Sequence, residues 1–329
     1  MQTRKLGKTG PEVSLLGLGA MGMSDMYGPA DRAESLATID AAVEAGITLI
    51  DTGDFYGMGH NEMLIGEALK RHNRDDLLLS VKFGAQRGPD GMWVGYDTRP
   101  NAVKTSLAYT LNRLGVDHID VYRPARLDPN VPIEDTIGAI AEMVQAGYVR
   151  HIGLSEVGSE TIRRAAAVHP IVDLQIEYSL ISRGIEDSIL PTLRELGIGV
   201  TAYGVLARGL IGGHMTAPGG GRDIRGFSPR FQGEALANNL ALTEALRAAA
   251  AAIGLTPAQA AVAWVAAQGD DIIPLIGARR RDRLAESLGA VKPLPSDAIA
   301  AIEAAVPNGA AMGERYPSMM MHTLDSERG

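Results

Sequence analysis

The 329-residue chain contains no cysteine, which excludes disulfide bonds, thiol catalysis and cysteine-ligated metal sites. It also lacks any apolar run of the ~18 residues that a membrane helix requires. Residues Met1–Leu6 lack the apolar core of a secretory signal peptide. The formal net charge of -8 disfavours nucleic acid as a partner. We therefore expect a cytoplasmic protein with no metal site that binds neither nucleic acid nor membranes.

Short runs of Val, Ile and Leu alternate with segments of helical periodicity along the chain. Such runs are typical of strands buried on both faces. The eight runs that we interpret as strands are Leu15–Ala20, Thr48–Asp54, Leu77–Gly84, His118–Arg126, Arg150–Val157, Asp173–Ser179, Gly199–Leu206 and Ile272–Ala278. The predicted helices are Asp31–Ala45, Asn61–Arg71, Arg99–Leu114, Glu134–Ala146, Ser159–Val168, Ser182–Leu196, Glu234–Ile253 and Thr256–Ala267. Regular alternation predicts a parallel sheet, and eight units predict one α/β domain over residues 1–329, a (β/α)8 TIM barrel.

Other segments lie outside the eight repeating units. Thr3–Val13 predicts a small N-terminal hairpin that closes the barrel floor, and two extra C-terminal helices are predicted at Arg280–Leu288 and Ser296–Ala305. The least regular region is Gly209–Gly233, which includes Gly219–Gly221. Because loops of this length are uncommon in compact domains, we expect this one to be functional or disordered.

Gly17–Gly22 matches the GxGxxG pattern of dinucleotide-binding sites. That motif should open a helix directly, but Gly28 and Pro29 follow closely and predict a loop. We therefore interpret the motif as a strand that ends in a glycine-rich turn rather than as a Rossmann site.

Charged and aromatic residues follow the second predicted strand, at the end that carries the active site in barrels. They lie in Asp51–Gly57, and Lys82 interrupts the otherwise apolar third strand. A lysine in a buried strand must find a partner or lose its charge, and Asp51 on the neighbouring strand is the expected partner. A structural ion pair without catalysis remains an alternative, because such pairs also perturb pKa values.

The chain resembles the aldo-keto reductase family over almost its whole length. The motifs that carry the resemblance are Arg4–Gly7, Asp51–Gly57, Lys82, Gly153–Ser155, Gln175, Glu177–Ser179, Ala202–Tyr203, Ile276–Gly277 and Glu286–Ala290. The resemblance implies an oxidoreductase that transfers a hydride between NADPH and a small-molecule aldehyde or ketone. It further implies that Tyr56 is the general acid, that Lys82 lowers the pKa of Tyr56, and that Asp51 orients Lys82.

The resemblance also implies where the cofactor binds. Ser155 and Gln175 match residues that hold the nicotinamide carboxamide, and Tyr203 matches the aromatic that stacks on the ring. A packed core tyrosine is the alternative for Tyr203. The residue after Ser155 is usually Asn, whereas this chain has Glu156. Other matched positions are Met21, Gly204, Leu206, Arg208, Gly277, Arg279, Arg283, Glu286 and Ser287.

Four arginines fall between positions 279 and 283, where barrels often bind phosphate. Arg279 and Arg283 are four residues apart, which predicts that they share one helical face. The resemblance implies that both grip the adenosine phosphate, and the arginine fork suits a 2′-phosphate. We therefore expect NADPH rather than NADH.

The fourth strand departs from the family pattern. The family commonly reads Tyr-x-x-His-Arg there, whereas Tyr122–Arg126 places Ala125 at the histidine position. Arg123 lies two residues earlier on the same face of the strand, and we predict that it takes over part of the role of the histidine. The alternative is that Arg123 pairs with a barrel acid such as Glu177.

Ala125 also leaves a second function open, an NADPH-binding regulatory or sensing subunit with weak or no turnover. A barrel aldolase that forms a Schiff base on Lys82 is chemically feasible but does not explain the arginine cluster. A homo-oligomer is compatible with the sequence. The expected pocket walls are Met21, Met23, Tyr27, Trp93, Gly209–Gly233 and Tyr316–Met321.

Overall fold

The computed structural model describes residues 1–24, 26–215 and 223–328. Its strands are β1 (Thr3–Lys5), β2 (Glu12–Ser14), β3 (Gly17–Gly19), β4 (Leu49–Gly53), β5 (Leu78–Phe83), β6 (Ala85–Arg87), β7 (Trp93–Tyr96), β8 (Ile119–Pro124), β9 (Val149–Ser155), β10 (Ile171–Glu177), β11 (Gly199–Tyr203) and β12 (Ile272–Gly277). Eight of them close into a parallel barrel in the order β10-β11-β12-β3-β4-β5-β8-β9. The predicted (β/α)8 barrel is confirmed, and each predicted strand overlaps one barrel strand, although β9 and β10 begin one and two residues earlier than predicted.

The helices surround the barrel and follow the strands in chain order. They are α1 (Arg32–Glu44), α2 (His60–Leu69), α3 (Pro100–Leu114), α4 (Ile133–Gln145), α5 (Ser159–Val168), α6 (Ile189–Leu196), α7 (Gly233–Ala252), α8 (Pro257–Ala267), α9 (Arg281–Leu288), α10 (Ser296–Ala305) and α11 (Ser318–Met321). The two extra C-terminal helices predicted from the sequence are α9 and α10. In the described part of the chain no single helix is long and apolar enough to cross a membrane; α7 and α8 pass that test only together, across an 82° bend.

The sixth predicted helix was placed too early in the chain. Residues 182–188 are not α-helical, because Ser179 and Ser182 form a reciprocal backbone pair with N–O distances of 3.2 and 3.0 Å. A short 3-10 turn at Gly184–Glu186 follows, and α6 begins only at Ile189. The tight turn therefore occupies the residues that the periodicity assigned to the first helical turns.

The N-terminal hairpin of β1 and β2 closes the floor of the barrel, as predicted. Leu6 and Val13 are fully buried and pack with inward-facing residues at the lower ends of several barrel strands. Arg4 fixes the hairpin from outside by donating hydrogen bonds to the carbonyls of Ala266, Gly269 and Ile272. Gly7 has a φ of 66°, and a Cβ there would lie 2.3 Å from the Val172 carbonyl oxygen. The floor is therefore closely packed, and we look for the functional site at the opposite end of the barrel.

A second hairpin, β6–β7, extends from the carboxyl end of β5 and was not predicted. Its Trp93 lies 5.7 Å from the ring of Phe55, centroid to centroid, and under the guanidinium of Arg87 at 4.3 Å. The hairpin thus forms one wall of the barrel mouth. In the long loop predicted at Gly209–Gly233, the described parts contain 3-10 turns at Ala207–Gly212, Ile224–Phe227 and Pro229–Phe231. Residues 216–222, which include Gly219–Gly221, lie outside the described residues.

Candidate active site

Three neighbouring polar side chains converge on one carboxylate inside the barrel. Asp51 on β4 and Lys82 on β5 are each 4% exposed, and Lys82 Nζ lies 2.5 Å from Asp51 Oδ1. The other oxygen, Asp51 Oδ2, accepts hydrogen bonds from Ser80 Oγ at 2.8 Å and from Gln175 Nε2 at 2.7 Å. The predicted Asp51–Lys82 pair is therefore present. Gln175 was expected to hold a carboxamide, but here it donates to Asp51.

Burial makes Lys82 easier to deprotonate than an ordinary lysine. Loss of hydration lowers the pKa of Lys82 to about 8, although the Asp51 carboxylate opposes the shift. The Arg123 guanidinium adds to the lowering. Lys82 can therefore change its charge near neutral pH, as a group with a catalytic role often does.

Tyr56 follows β4 and lies beside the Asp51–Lys82 pair. It is 6% exposed, its ring meets Phe55 edge to face at 4.7 Å, and Lys82 Nζ lies 5.1 Å from its ring centroid. Burial and then the Asp51 carboxylate raise the pKa of Tyr56 well above its ordinary value. This direction is opposite to the predicted lowering by Lys82. The reason is that burial of the Tyr56 hydroxyl, and next the negative charge of Asp51, disfavour the phenolate.

Arg123 forms the ion pair that was the alternative to a catalytic role, with Asp173 in place of Glu177. Its side chain is fully buried; Nη2 donates to Asp173 Oδ1 at 3.0 Å and Nη1 to Thr201 Oγ1 at 3.2 Å. Gly153 leaves room for the pair, because a Cβ there would lie 2.5 Å from Asp173 Oδ1. The arginine is thus part of the polar interior of the barrel, and its catalytic role stays a prediction.

Ala125, which the resemblance aligns with the histidine of the family, is 1% exposed. The next residue, Arg126, donates from Nη1 to the Ala125 carbonyl at 2.6 Å and approaches the Tyr316 hydroxyl at 3.5 Å. Arg126 forms no ion pair with any described residue. It therefore brings a positive charge to the barrel mouth beside the position that lacks the histidine.

The ends of β9 and β11 carry the residues predicted to contact nicotinamide. Ser155 is 1% exposed, and its Oγ has no hydrogen-bond partner among the described residues. Glu156 is fully buried with a left-handed φ of 51°, and its carboxylate accepts hydrogen bonds from the Tyr203 hydroxyl at 2.6 Å and from the backbone N–H of Glu177 at 3.0 Å. Tyr203 is thus fixed by Glu156 rather than merely packed in the core.

The C-terminal tail contacts Glu156, and the sequence did not reveal this contact. Arg315 is 8% exposed and binds Glu156 through Nη2 at 2.9 Å and Glu177 through Nη1 at 3.1 Å. Burial by itself raises the pKa of Glu156, but Arg315 and then Arg126 and Tyr203 lower it below its usual value. The one sequence signal was the charged pair Glu314–Arg315 directly after the small and apolar residues Gly309–Gly313.

The connection after β11 has an unusual backbone. Ala207, Arg208 and Gly209 have φ values of 48°, 59° and 91°, a conformation that costs energy for the two residues with a Cβ. Arg208 Nη2 is buried without a hydrogen-bond partner among the described residues, and its guanidinium carbon lies 4.2 Å from the Tyr316 ring centroid. Gly204, also left-handed, and Leu206 lie half-buried in the same connection.

The arginine cluster lies at the connection from β12 to α9. Because α9 begins at Arg281, Arg279 precedes the helix, and the prediction that it shares a helical face with Arg283 is wrong. Arg279 Nη1 donates to the carbonyls of Tyr27, Gly28 and Pro29 at 2.9–3.1 Å. A cleft of about 740 Å³ opens there; its lining residues are Pro29, Ala30, Asp31, Glu34, Arg279, Arg280, Arg281 and Asp282.

Three of the four arginines in this cluster form ion pairs with carboxylates. Arg280 binds Asp282, Arg281 binds Glu34, and Arg283 binds Glu286 at 3.3 Å. Arg279 forms no ion pair among the described residues. Its charge is therefore not neutralised by a carboxylate in the described part of the chain, although its Nη1 donates to three backbone carbonyls.

The remaining predicted site residues differ in their contacts and exposure. Glu286 also contacts His214 at 2.7 Å, Ser287 is 3% exposed, and Gly277 is exposed at the end of β12. Met21 is half-buried after β3, but Met23 is 2% exposed and packs in the core, so it does not line a pocket. Met319 in the predicted pocket tail is 78% exposed, and its place in a pocket stays a prediction.

The residues present fit a nicotinamide dinucleotide at most of these positions. The Ser155 hydroxyl and Arg208 Nη2 are buried and lack a hydrogen-bond partner among the described residues, although Arg208 Nη2 lies 3.9 Å from Glu177 Oε2. Such groups are of the kind that a ligand satisfies. The cleft beside Arg279 offers room for the adenosine end. Glu156 does not fit the role of the family Asn, because Arg315, Tyr203 and the backbone already occupy its carboxylate.

Comparisons with known proteins agree on one family. The model of the aldo/keto reductase family matches residues 15–307. A probable aldo-keto reductase 1 from Glycine max is 40% identical over 327 residues, which cover 98% of this chain and 94% of that protein. A glycerol dehydrogenase structure from Gluconobacter oxydans is 28% identical with a TM-score of 0.84, covering 92% of this chain and 94% of that one. A holo aldo-keto reductase from Bacillus halodurans, also 28% identical, has a TM-score of 0.78 and covers 95% of this chain and 98% of that one.

Proposed function

This chain belongs to the aldo/keto reductase family of nicotinamide-dependent carbonyl oxidoreductases, and on that premise we propose that it interconverts an aldehyde or ketone and its alcohol with NADPH. The observation that carries the proposal is the placement of Tyr56 beside the buried Asp51–Lys82 pair at the mouth of the barrel. We also propose a small-molecule substrate, a cytoplasmic location and one domain over residues 1–329.

The bound cofactor supplies the hydride for the carbonyl carbon. Tyr56 transfers its hydroxyl proton to the carbonyl oxygen, which leaves a phenolate in the protein. Lys82, 5.1 Å from the Tyr56 ring centroid, stabilises that negative charge. Asp51 holds the lysine in place, and Ser80 and Gln175 in turn hold Asp51. Because the site is buried, these charge interactions are stronger than they would be in water.

A cofactor preference for NADPH follows from Arg279. It forms no ion pair in the described part of the chain, and it borders the cleft beside α9. A 2′-phosphate in that cleft would gain a charged hydrogen-bond partner, which NADH would not use.

A second candidate function has one specific observation in its favour. Ala125 removes the side chain that helps to polarise the carbonyl in the family, and Arg123, the predicted substitute, is bound to Asp173. A protein that binds NADPH as a regulatory or sensing subunit would tolerate this loss. The intact arrangement of Asp51, Tyr56 and Lys82 favours the enzyme.

The test is a single-turnover experiment with a panel of aldehydes and ketones. The protein is loaded with one equivalent of NADPH, and loss of the reduced nicotinamide absorbance is followed after each carbonyl is added. The reductase proposal expects carbonyl-dependent oxidation with alcohol formed in equal amount. Tight NADPH binding without oxidation by any carbonyl would instead support the sensing subunit.

A further inference from the structure

The C-terminal tail, residues Arg315–Glu327, is held against the barrel by hydrogen bonds of the Arg315 side chain. The guanidinium donates to Glu156 Oε1 and Oε2 at 3.2 and 2.9 Å, and to Glu177 Oε2 at 3.1 Å. Its Nε and Nη2 also donate to Glu327 Oε1, at 3.0 and 2.6 Å. Two of these acids come from the carboxyl ends of barrel strands and the third from the tail. Arg315 therefore joins the tail to the barrel mouth.

A second set of contacts fixes the tail beside the same strand. Ser326 Oγ donates to Glu156 Oε2 at 2.8 Å, and Asp325 Oδ2 accepts from the backbone N–H of Gly158 at 2.8 Å. Both partners flank the turn that follows β9. The tail therefore covers the residue that replaces the family Asn and is adjacent to Ser155.

The carboxylate of Glu156 orders a chain of hydroxyl groups. A carboxylate only accepts hydrogen bonds, so Tyr203 must donate its hydroxyl hydrogen to Glu156 across 2.6 Å. The Tyr203 oxygen is then free to accept from the Tyr316 hydroxyl, 3.0 Å away. Glu156 thereby fixes the position of Tyr203 and, through it, that of Tyr316 in the tail.

Without Arg315, this arrangement would leave two buried carboxylates close together. Glu177 would keep Arg230 at 3.5 Å and Arg208 at 3.9 Å. Glu156 is fully buried and has no ion-pair partner besides Arg315 among the described residues, and a buried carboxylate without its partner is strongly unfavourable. Glu156 would shift or take up a proton. Either change would disturb Tyr203, which it holds, and Ser155, its chain neighbour.

We propose that the segment Arg315–Glu327 is a part of the nicotinamide site, with Arg315 as the positioning residue that fixes Glu156 and Tyr203, so that tail docking and cofactor binding favour each other. The inference rests on the proposed function, since Ser155 and Tyr203 are its nicotinamide contacts. Coupling of this kind is reciprocal: the factor by which the docked tail strengthens cofactor binding is the factor by which the cofactor stabilises docking.

The first arm of the test measures NADPH dissociation constants of full-length variants by fluorescence. Arg315→Gln should weaken binding by about 5- to 150-fold, the usual range of such coupling. Arg315→Lys, which keeps the charge and loses the fork, should fall between Arg315→Gln and the parent. Arg328→Gln is the matched control, because Arg328 lies in the same tail and, among the described residues, its side chain donates a hydrogen bond to the His322 carbonyl and to no carboxylate. It should bind NADPH as the parent does.

A double-mutant cycle separates positioning from general stability. In a Glu156→Asn background the buried charge that needs Arg315 is absent, so adding Arg315→Gln should weaken NADPH binding far less than it does in the parent. Melting temperatures of all variants report the structural contribution separately. Equal effects of Arg315→Gln on the NADPH dissociation constant in both backgrounds would overturn the role assigned to Glu156.

The second arm uses the parent protein alone and does not depend on whether a variant folds. Amide hydrogen exchange across residues 315–327 should slow when NADPH is added. Unchanged exchange there, or a folded Arg315→Gln protein that binds NADPH like the parent, overturns the tail proposal and leaves the proposed function intact. A parent protein that binds neither NADPH nor NADH overturns both.

Discussion

The buried pair of Arg123 and Asp173 makes a prediction about stability rather than turnover. Removing one member of a buried pair leaves an uncompensated charge and typically costs about 3–5 kcal/mol. We therefore expect Arg123→Leu to lower the free energy of unfolding by about that amount, measured by urea denaturation. Burial already raises the pKa of Asp173, and Arg123 opposes that rise, so the variant should also leave Asp173 easier to protonate.

The matched control removes both charges. Arg123→Leu/Asp173→Leu should recover a large part of the lost stability, because no buried ion remains. If Arg123→Leu keeps the parent stability and instead loses turnover at unchanged NADPH affinity, Arg123 does not stabilise the fold as expected. That result would support the catalytic role predicted from the sequence.

Lys82 sets the pH dependence at the site. Its pKa is lowered to about 8, chiefly by burial, so its ammonium is lost as the pH rises through that value. Since the ammonium stabilises the Tyr56 phenolate, kcat/KM should fall above about pH 8. kcat/KM is the right quantity because it reports the pKa values of the free enzyme. Steady-state rates between pH 6 and 10 on the best carbonyl substrate measure it.

Lys82→Arg distinguishes this explanation from others, because an arginine stays charged over the whole range. Whatever rate the variant retains should not decline near pH 8. A decline at the same pH in the variant would mean that another group is responsible.

Among individual residues, the sequence predicted contacts between neighbouring strands but not contacts between distant parts of the chain. Asp51 and Lys82 were predictable because they lie on neighbouring strands of a barrel whose register places them together. Arg315 and Glu156 are 159 residues apart, and no periodicity relates a tail residue to the end of β9. The partner of Arg123 was uncertain for the same reason, since several strands supply inward-facing acids.

Among the elements, the connection from β12 to α9 is the one that we propose gives the preference for NADPH. Arg279 should contribute more to NADPH affinity than Arg283, because Arg283 already faces Glu286 whereas Arg279 lacks a carboxylate partner in the described chain. We expect Arg279→Ala to weaken NADPH binding by roughly 1.5–3 kcal/mol, the scale of a hydrogen bond to a charged group.

NADH provides the control in the same variants, since it lacks the 2′-phosphate. Titrations at low salt should show a clear preference of the parent for NADPH, and the preference should weaken as salt rises. Equal dissociation constants for the two cofactors in the parent at low salt would remove the basis for assigning NADPH.

The barrel elements were predictable because their apolar runs are long and regular. Strands such as β5 and β10 are buried along their whole length, which the Val, Ile and Leu runs indicate directly. The β6–β7 hairpin was missed because its residues are largely exposed and lack alternation. The start of α6 was misjudged because a local backbone pair at Ser179 and Ser182 prevailed over helical periodicity.

In the whole molecule, the N-terminal hairpin closes one end of the barrel and the C-terminal tail contacts the other, and the two contacts differ in kind. The N-terminal hairpin fills the floor with apolar side chains such as Leu6 and Val13. The C-terminal tail crosses the opposite end with the charged Arg315 and the hydroxyl of Tyr316. An apolar plug is suited to permanent closure, whereas a polar contact at the mouth can respond to a bound ligand.

We propose above all that this protein catalyses hydride transfer with Tyr56 as the general acid. One measurement tests this role of Tyr56 most directly. Single-turnover oxidation of bound NADPH by the best carbonyl substrate is compared between the parent and Tyr56→Phe, which keeps the ring and removes the hydroxyl. We predict equal NADPH dissociation constants and a rate lowered about 10²–10⁴-fold in the variant, the usual contribution of general acid catalysis. A Tyr56→Phe protein that oxidises NADPH at the parent rate would contradict the account.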